Sequence, residues 1–459
     1  MELEKKLVEF IIGAKFEDLP KQDVDIAKSM VLNVMGAILA GASAEGCNTL
    51  VNLVKGWSGK EEASILMYGG KVPAPNAVLI NSTMARALDI DDTMSPGFHF
   101  GASLVPTALA AAELAGGCTG EEFLAAIAIG QDIAARIHIA TVFKDFELIW
   151  DPTGICGIFA FTTAAGRILR LDSAQIWNAL GLTFTQTAQS AQAIVDGTLA
   201  VRLFQGFLSR NSMMSVQLAQ KGFTGPKDFL QGPWGYFHLY SKDKYDPEIL
   251  VRDLGRKFEL RNTTFKGYPS CGMTIASTDA ILYLIKEKGL NSDNVDHITV
   301  KVMPSSYKLV GHQFELGENP TVNAQFSIQY CVANALLRQS SRLKHFTVPY
   351  VKDPKIKELI SKISVTSDPT LDSERKFHLR VDMEVTTTAG NVYHRVVDIP
   401  SGFPGNPLKL GEHVERFRDA AAFGGGFTEE KLERIISTIN HLEELKDIRA
   451  LIPLISGQG

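Results

Sequence analysis

Apolar positions recur at intervals of three and four early in the chain, as at Val24, Met30, Val31, Val34, Met35 and Ile38, the period of a helix with one face on a core. Residues 3–16 and 23–39 are therefore predicted helices, and the small residues of GAILAGASAEG that follow allow close packing. Thr119 with Glu122, and Asp172 with Gln175, have the spacing of capping boxes, opening the helices EEFLAAIAIGQDIAARIHIA and QIWNALGLTFTQTAQS. A Gly/Ala/Ser/Thr-rich run over residues 154–192 suits helices buried on most sides. No convincing period-2 segment occurs before residue 260, which predicts an all-α first part.

The period then changes. HITVKVMP (residues 297–304), KFHLRVDMEVTT (376–387) and NVYHRVVDIP (391–400) are rich in β-formers, the last two joined by a turn at Ala389, Gly390 and Asn391. Phe377, Leu379, Val381, Met383 and Val385 alternate with polar residues, as in a sheet covered on one face. Helical patterns over residues 274–288 and 324–338 lie between the strands, so residues 265–401 read as an α+β domain. LKLGEHVERFRDAAAF and TEEKLERIISTINHLEEL return to helix. The expected architecture is mainly α: a large helical domain of residues 1–264, completed by residues 402–459, with a smaller α+β domain inserted. A cleft between two such domains is a natural place for a ligand.

Polar chemistry concentrates in residues 81–107, NSTMARALDIDDTMSPGFHFGASLVPT, which hold Arg86, Asp89, Asp91, Asp92, Thr93 and His99. Pro96 and Gly97 cannot continue a helix, so these groups belong at a helix end and its loop. Three readings stay open. The segment is a solvated helix terminus, or a Mg²⁺ site lacking its third carboxylate, or Asp89 or Asp92 orients a nearby His or Lys that moves protons. Elsewhere, Lys266 in FKGYPSCGMT sits in a partly apolar turn that can desolvate an ammonium. Tyr330 lies on an otherwise apolar helical face, placed for core packing or for a pocket. Arg202 and Arg210 near a helix start have the shape to hold a carboxylate at two points.

Composition narrows the classes. With 45% hydrophobic and 21% charged residues in 459, the chain reads as globular with a large core. A formal charge of −5 and the lack of a Lys/Arg block argue against nucleic acid as a partner. Five scattered cysteines without CxxC spacing favour a reduced, cytoplasmic compartment over a zinc site. The N-terminus is too charged for a signal peptide. Residues 102–117, the longest membrane candidate on this reading, carry Pro106 and Glu113, so no membrane partner is expected. There is no P-loop, GxSxG or HExxH, which leaves acid/base chemistry without cofactor or metal if the protein is an enzyme.

Taken in order, several stretches resemble the MmgE/PrpD family: ALDIDDT followed by His99 and GASLVPTALA, then PTGICGIFAFTTAAGRILRLD, GFTGPKDFLQG, FKGYPSCG, FSIQYCVANALL and a late GNPL before a charged helix. The family includes 2-methylcitrate dehydratase, cis-aconitate decarboxylase and iminodisuccinate epimerase. The resemblance implies an inserted lid domain, a homodimer, and a cofactor-free site for a small carboxylate. Its active-site positions fall on Asp89, Thr93, His99, Lys266 and Tyr330. His99 suits the base, and Lys266 the acid or the stabiliser of enolate-like charge.

Three family positions are altered. Asp151 stands where members have a His before Pro, Val201 where they have a Lys, with Arg202 alongside, and Ile275 where a His follows Thr274. A charge-assisted hydrogen bond is worth about 1.5–3 kcal/mol, so a carboxylate that finds no donor at these positions binds more weakly. The altered charge fits a substrate with fewer carboxylates than cis-aconitate, or one bearing an amine for Asp151. Asp92 and Arg202 complete the expected binding set. Dehydration of a hydroxy-carboxylate is the leading expectation, with epimerisation, decarboxylation and a catalytically silent dimer as alternatives.

Overall fold

A computed structural model describes residues 2–95, 97–141, 150–190, 192–196, 198–371 and 379–456. The fold is mainly α with a small mixed sheet. It divides into two compact units, Met1–Thr263 with Ala420–Gly459, and Thr264–Asp419.

The first unit is built on α1 (Glu2–Gly13), α2 (Lys21–Gly41), α3 (Cys47–Trp57), α4 (Ala74–Arg86), α5 (Gly101–Leu114), α6 (Gly120–Thr141), α7 (Ile158–Ile168), α8 (Ser173–Phe184), the short α9 (Gln192–Val195) and α10 (Ala200–Gln220). Both expected capping boxes form. Thr119 and Glu122 bond reciprocally at 2.8 and 3.1 Å, as do Asp172 and Gln175. The start of α6 also explains how the C-terminal segment joins this unit. Gly120 N–H donates to the Leu445 carbonyl, and a Cβ at Gly120 would lie 1.5 Å from the Leu442 oxygen, so only glycine fits.

Two features depart from the sequence reading. A two-residue hairpin, β1 (Ala63–Ser64) with β2 (Lys71–Val72), interrupts the expected all-α run. Among the described residues α2 and α6, rather than residues 102–117, are the helices long and apolar enough to cross a membrane. Their apolar windows are 72% and 94% buried within the protein, as in core helices. Inside α6 the buried Arg136 pairs with Asp132 and donates to the carbonyls of Ile249, Arg252 and Lys257, which fixes that loop.

The second unit holds β3 (Val295–Val302), β4 (Ile363–Ser367), β5 (Val381–Thr387) and β6 (Val392–Val397) in the order β4-β3-β5-β6, with β3 and β4 parallel and the remaining pairs antiparallel. Val381, Met383 and Val385 alternate inward as expected. The expected strand start at residues 376–378, with Phe377, lies outside the described residues. Helices Gly272–Lys288 and Ile328–Arg338 share a core with the sheet. The C-terminal helices were expected to leave this unit at residue 402, whereas residues 402–419 stay in it. Specific bonds hold them: the Gly402 carbonyl accepts from Phe265 N–H, Arg342 bonds Glu415, and Asp419 accepts from Leu343 N–H.

Candidate functional site

The α4 helix ends at Arg86, and Asp89 then takes φ +57°, a left-handed turn that Asp tolerates better than most residues. That turn brings Asp89 Oδ1 to 2.6 Å from Arg86 Nη1. It also returns Asp91 to the helix end, where Asp91 Oδ1 lies 3.6 Å from the same guanidinium nitrogen. The other oxygen, Asp91 Oδ2, is 2.9 Å from His99 Nδ1. The Asp91 side chain is 0% exposed, and those of Arg86 and His99 are 10% and 12% exposed. Since a carboxylate only accepts, Nδ1 is the donor in this bond, and the neutral form of the ring then has its lone pair on Nε2.

The loop that delivers His99 is clasped at its base. Met94 and Phe98 exchange two backbone bonds, and the Thr93 hydroxyl donates to the Phe98 carbonyl at 3.1 Å. Phe98 packs on Phe100 and on the buried ring of His138, whose Nε2 lies 3.2 Å from the Ser95 carbonyl oxygen. His99 N–H donates to Thr153 Oγ1 at 3.0 Å, and Thr153 N–H donates to Asp151 Oδ1 at 2.8 Å. Asp92 Oδ2 accepts from Gly101 N–H at the start of α5, which favours a negative charge there.

Charge ties further residues to this cluster. Burial opposes the Arg86 charge, but Asp89, Asp91 and Asp151 outweigh it and hold the guanidinium pKa above its ordinary value. Arg202 is lowered, first by burial and also by repulsion from Arg86, and it donates to the Glu45 carbonyl.

Of the residues singled out in the sequence, Asp89, Asp92, Thr93, His99, Asp151 and Arg202 lie in the first unit, around the end of α4 and the loop before α5. Three have local duties that the sequence did not indicate: Asp92 caps α5, Thr93 closes the loop, and Asp151 caps the turn at Thr153. Asp91, rather than Asp89 or Asp92, orients His99. No local spacing announces that contact, because eight residues and a folded-back loop separate the two. The spacing of Arg86 and Asp89 was the one visible signal.

Lys266 and Tyr330 belong to the second unit. Lys266 is 3% exposed, in a turn held by Phe265 N–H to the Gly402 carbonyl and by Tyr268 to Asp279. Burial, then the Asp279 charge, raises the Tyr268 pKa, and burial raises that of Asp279. Tyr330 is a core residue, 0% exposed between Phe314 and Phe346, with its hydroxyl donated to the His345 carbonyl. The pocket-facing placement is corrected accordingly: the polar end that suggested a pocket is satisfied inside the core.

Asp89, Asp91 and His99 each offer a ligand atom within 4.8 Å of the others, as a metal site would. A cation already stands there, since Arg86 contacts both carboxylates. The donor set therefore fits a buried ion-pair network better than a metal.

The MmgE/PrpD N-terminal domain model matches residues 5–248 and the MmgE/PrpD C-terminal domain model residues 268–444. The chain belongs to the MmgE/PrpD family. Among its curated relatives, human cis-aconitate decarboxylase is 24% identical over 97% of this chain and 93% of its own length. Cis-aconitate decarboxylase of Aspergillus terreus (strain NIH 2624 / FGSC A1156) is 23% identical over 96% and 93%. A cis-aconitate decarboxylase-like protein of Aspergillus oryzae is 23% identical over 99% and 97%. The match to this MmgE/PrpD chain thus runs nearly end to end in each case.

Proposed function

We propose that this chain is a lyase that removes a proton from carbon beside a carboxylate, with dehydration of a small hydroxy-carboxylate as its leading reaction. The observation that carries this is the bond from His99 Nδ1–H to Asp91, which leaves Nε2 as a base. In the proposed step His99 takes the α-proton, the C–H electron pair moves into an enolate-like carboxylate, and the β-hydroxyl leaves as water once protonated. Lys266 is proposed as the donor of that proton, on the resemblance of FKGYPSCG.

The charge around Arg86 supports a substrate with few carboxylates. Asp89, Asp91 and Asp151 act on it, with Arg202 as a second cation nearby. Homodimer assembly belongs to the proposal on the family resemblance, and sedimentation would test it.

A second reading, decarboxylation of cis-aconitate, is favoured by the names of the relatives. Epimerisation of an amino- or imino-dicarboxylate remains a third outcome. Incubation with small hydroxy- and amino-dicarboxylates and with cis-aconitate in D₂O, followed by mass spectrometry, separates them. Water loss marks the dehydratase, CO₂ loss the decarboxylase, and deuterium gain at constant composition the epimerase. All should vanish in His99→Gln. Wild-type protein that changes none of these compounds would overturn the enzymatic reading.

A further inference from the structure

We infer that Arg86 is a positioning residue that selects the ring tautomer of His99 by fixing the carboxylate of Asp91. The geometry is a chain of three buried groups. One carboxylate gives its two oxygens to different partners, Oδ1 toward the Arg86 guanidinium at 3.6 Å and Oδ2 toward His99 Nδ1 at 2.9 Å. Asp89 anchors the guanidinium from the other side at 2.6 Å. Turning this carboxylate about its Cβ–Cγ bond breaks the hydrogen bond at Oδ2 and moves Oδ1 away from the Arg86 charge, which holds it by an ion-pair contact rather than a hydrogen bond. The imidazole next to it therefore meets a fixed acceptor and keeps its proton on Nδ1.

The left-handed turn at Asp89 adds to the argument. A non-glycine residue at φ +57° is costly backbone, and here it brings two carboxylates against the last arginine of α4. The His99 backbone is held separately by Thr153. Arg86 thus acts on the orientation and protonation pattern of the ring, while Thr153 acts on its position.

From the proposed function this takes only the idea that His99 moves the proton. Its test needs no substrate, so a failed reaction assay leaves it standing. The protein is labelled with ¹⁵N-histidine, and the ring nitrogens are read by NMR at about pH 8.5, where an ordinary imidazole is neutral. His99→Gln identifies the His99 signals among the ten histidines, and the other nine report on folding. Wild type is expected to show Nδ1–H alone.

In Arg86→Met the ratio of Nδ1–H to Nε2–H should fall by about tenfold or more, the effect of weakening one charge-assisted hydrogen bond. Arg86→Lys should recover part of it. If Arg86→Met fails to fold, Arg86→Gln serves instead, since it keeps a polar side chain at the end of α4 and removes the charge beside Asp91. It too should yield a tautomer mixture. A His99 ring that stays purely Nδ1–H in either folded variant, or that is Nε2–H in wild type, overturns the inference.

Discussion

Thr153 accepts the backbone N–H of His99 through its hydroxyl at 3.0 Å, so the loop before α5 is fastened to the start of the helical turn that leads into α7. The bond is buried at Thr153, where water does not readily take the place of the hydroxyl. Thr153→Val keeps the shape and orphans the His99 N–H. A cost of about 1–3 kcal/mol in chemical denaturation is expected, with Thr153→Ser close to wild type. Turnover of any substrate found for the protein should fall with Val and return with Ser. Equal stability of Thr153→Val and wild type would show that the bond is not holding the loop.

Asp92 and Gly101 form a second fastening. A Cβ on Gly101 would lie 2.0 Å from Asp92 Oδ1, 2.8 Å from Val34 and 2.9 Å from Met30. Gly101→Ala is therefore expected to cost about 1–3 kcal/mol through overpacking. Asp92→Ala, which removes the cap of α5, should cost about 0.5–2 kcal/mol, and Asp92→Asn less. Urea melts read all three. If Asp92→Asn melts like wild type yet raises KM sharply, Asp92 touches substrate and the capping role is secondary.

Acid sensitivity follows from two histidines of the second unit. Burial lowers the pKa of His345 and of His413 from 6.5 to about 4. An unfolded chain binds these protons below about pH 6.5, whereas the folded unit resists them until about pH 4. In that window the unfolded state holds more protons, so stability is full above pH 6.5 and is lost as the pH falls toward 4. Each group contributes on the order of 3 kcal/mol by that linkage. His345→Asn keeps an acceptor for Arg342 N–H, which bonds His345 Nδ1 at 3.2 Å. Its melting temperature should drop less than that of wild type between pH 7.5 and pH 5. Parallel pH curves for the two proteins would show that His345 titrates normally.

Much of the fold was legible because its determinants are local. The capping boxes at Thr119 and Asp172, the heptad-like spacing in α2 and the alternation of Val381, Met383 and Val385 each depend on residues within a turn or two. Strand β4 was missed because only Ile363 of its five residues is buried, which leaves no alternation to detect. The β1–β2 hairpin is too short for any periodicity. At the site, the residue types were visible and their pairing was not. Asp91 reaches His99 only because Asp89 turns left-handed and Met94 bonds Phe98, and neither event has a sequence pattern. Tyr330 shows the converse limit, since a tyrosine on an apolar face looks the same whether its hydroxyl meets a ligand or, as here, a backbone carbonyl.

Asp151 offers the sharpest test of the charge argument. It stands where the family resemblance calls for a basic residue, and its carboxylate both caps Thr153 N–H and bears on Arg86. Asp151→His removes one negative charge and supplies a donor suited to a substrate carboxylate, an interaction worth about 1.5–3 kcal/mol when charge-assisted. The variant is therefore expected to gain roughly tenfold or more in kcat/KM toward a tricarboxylate such as cis-aconitate, while losing some stability with the cap. Asp151→Asn, which keeps the cap and removes only the charge, should gain less. Measured side by side on tri-, di- and monocarboxylates, the gain should grow with substrate charge. If both folded variants leave that series unchanged, the acid at position 151 does not govern substrate charge, and the preference for few carboxylates loses its physical basis.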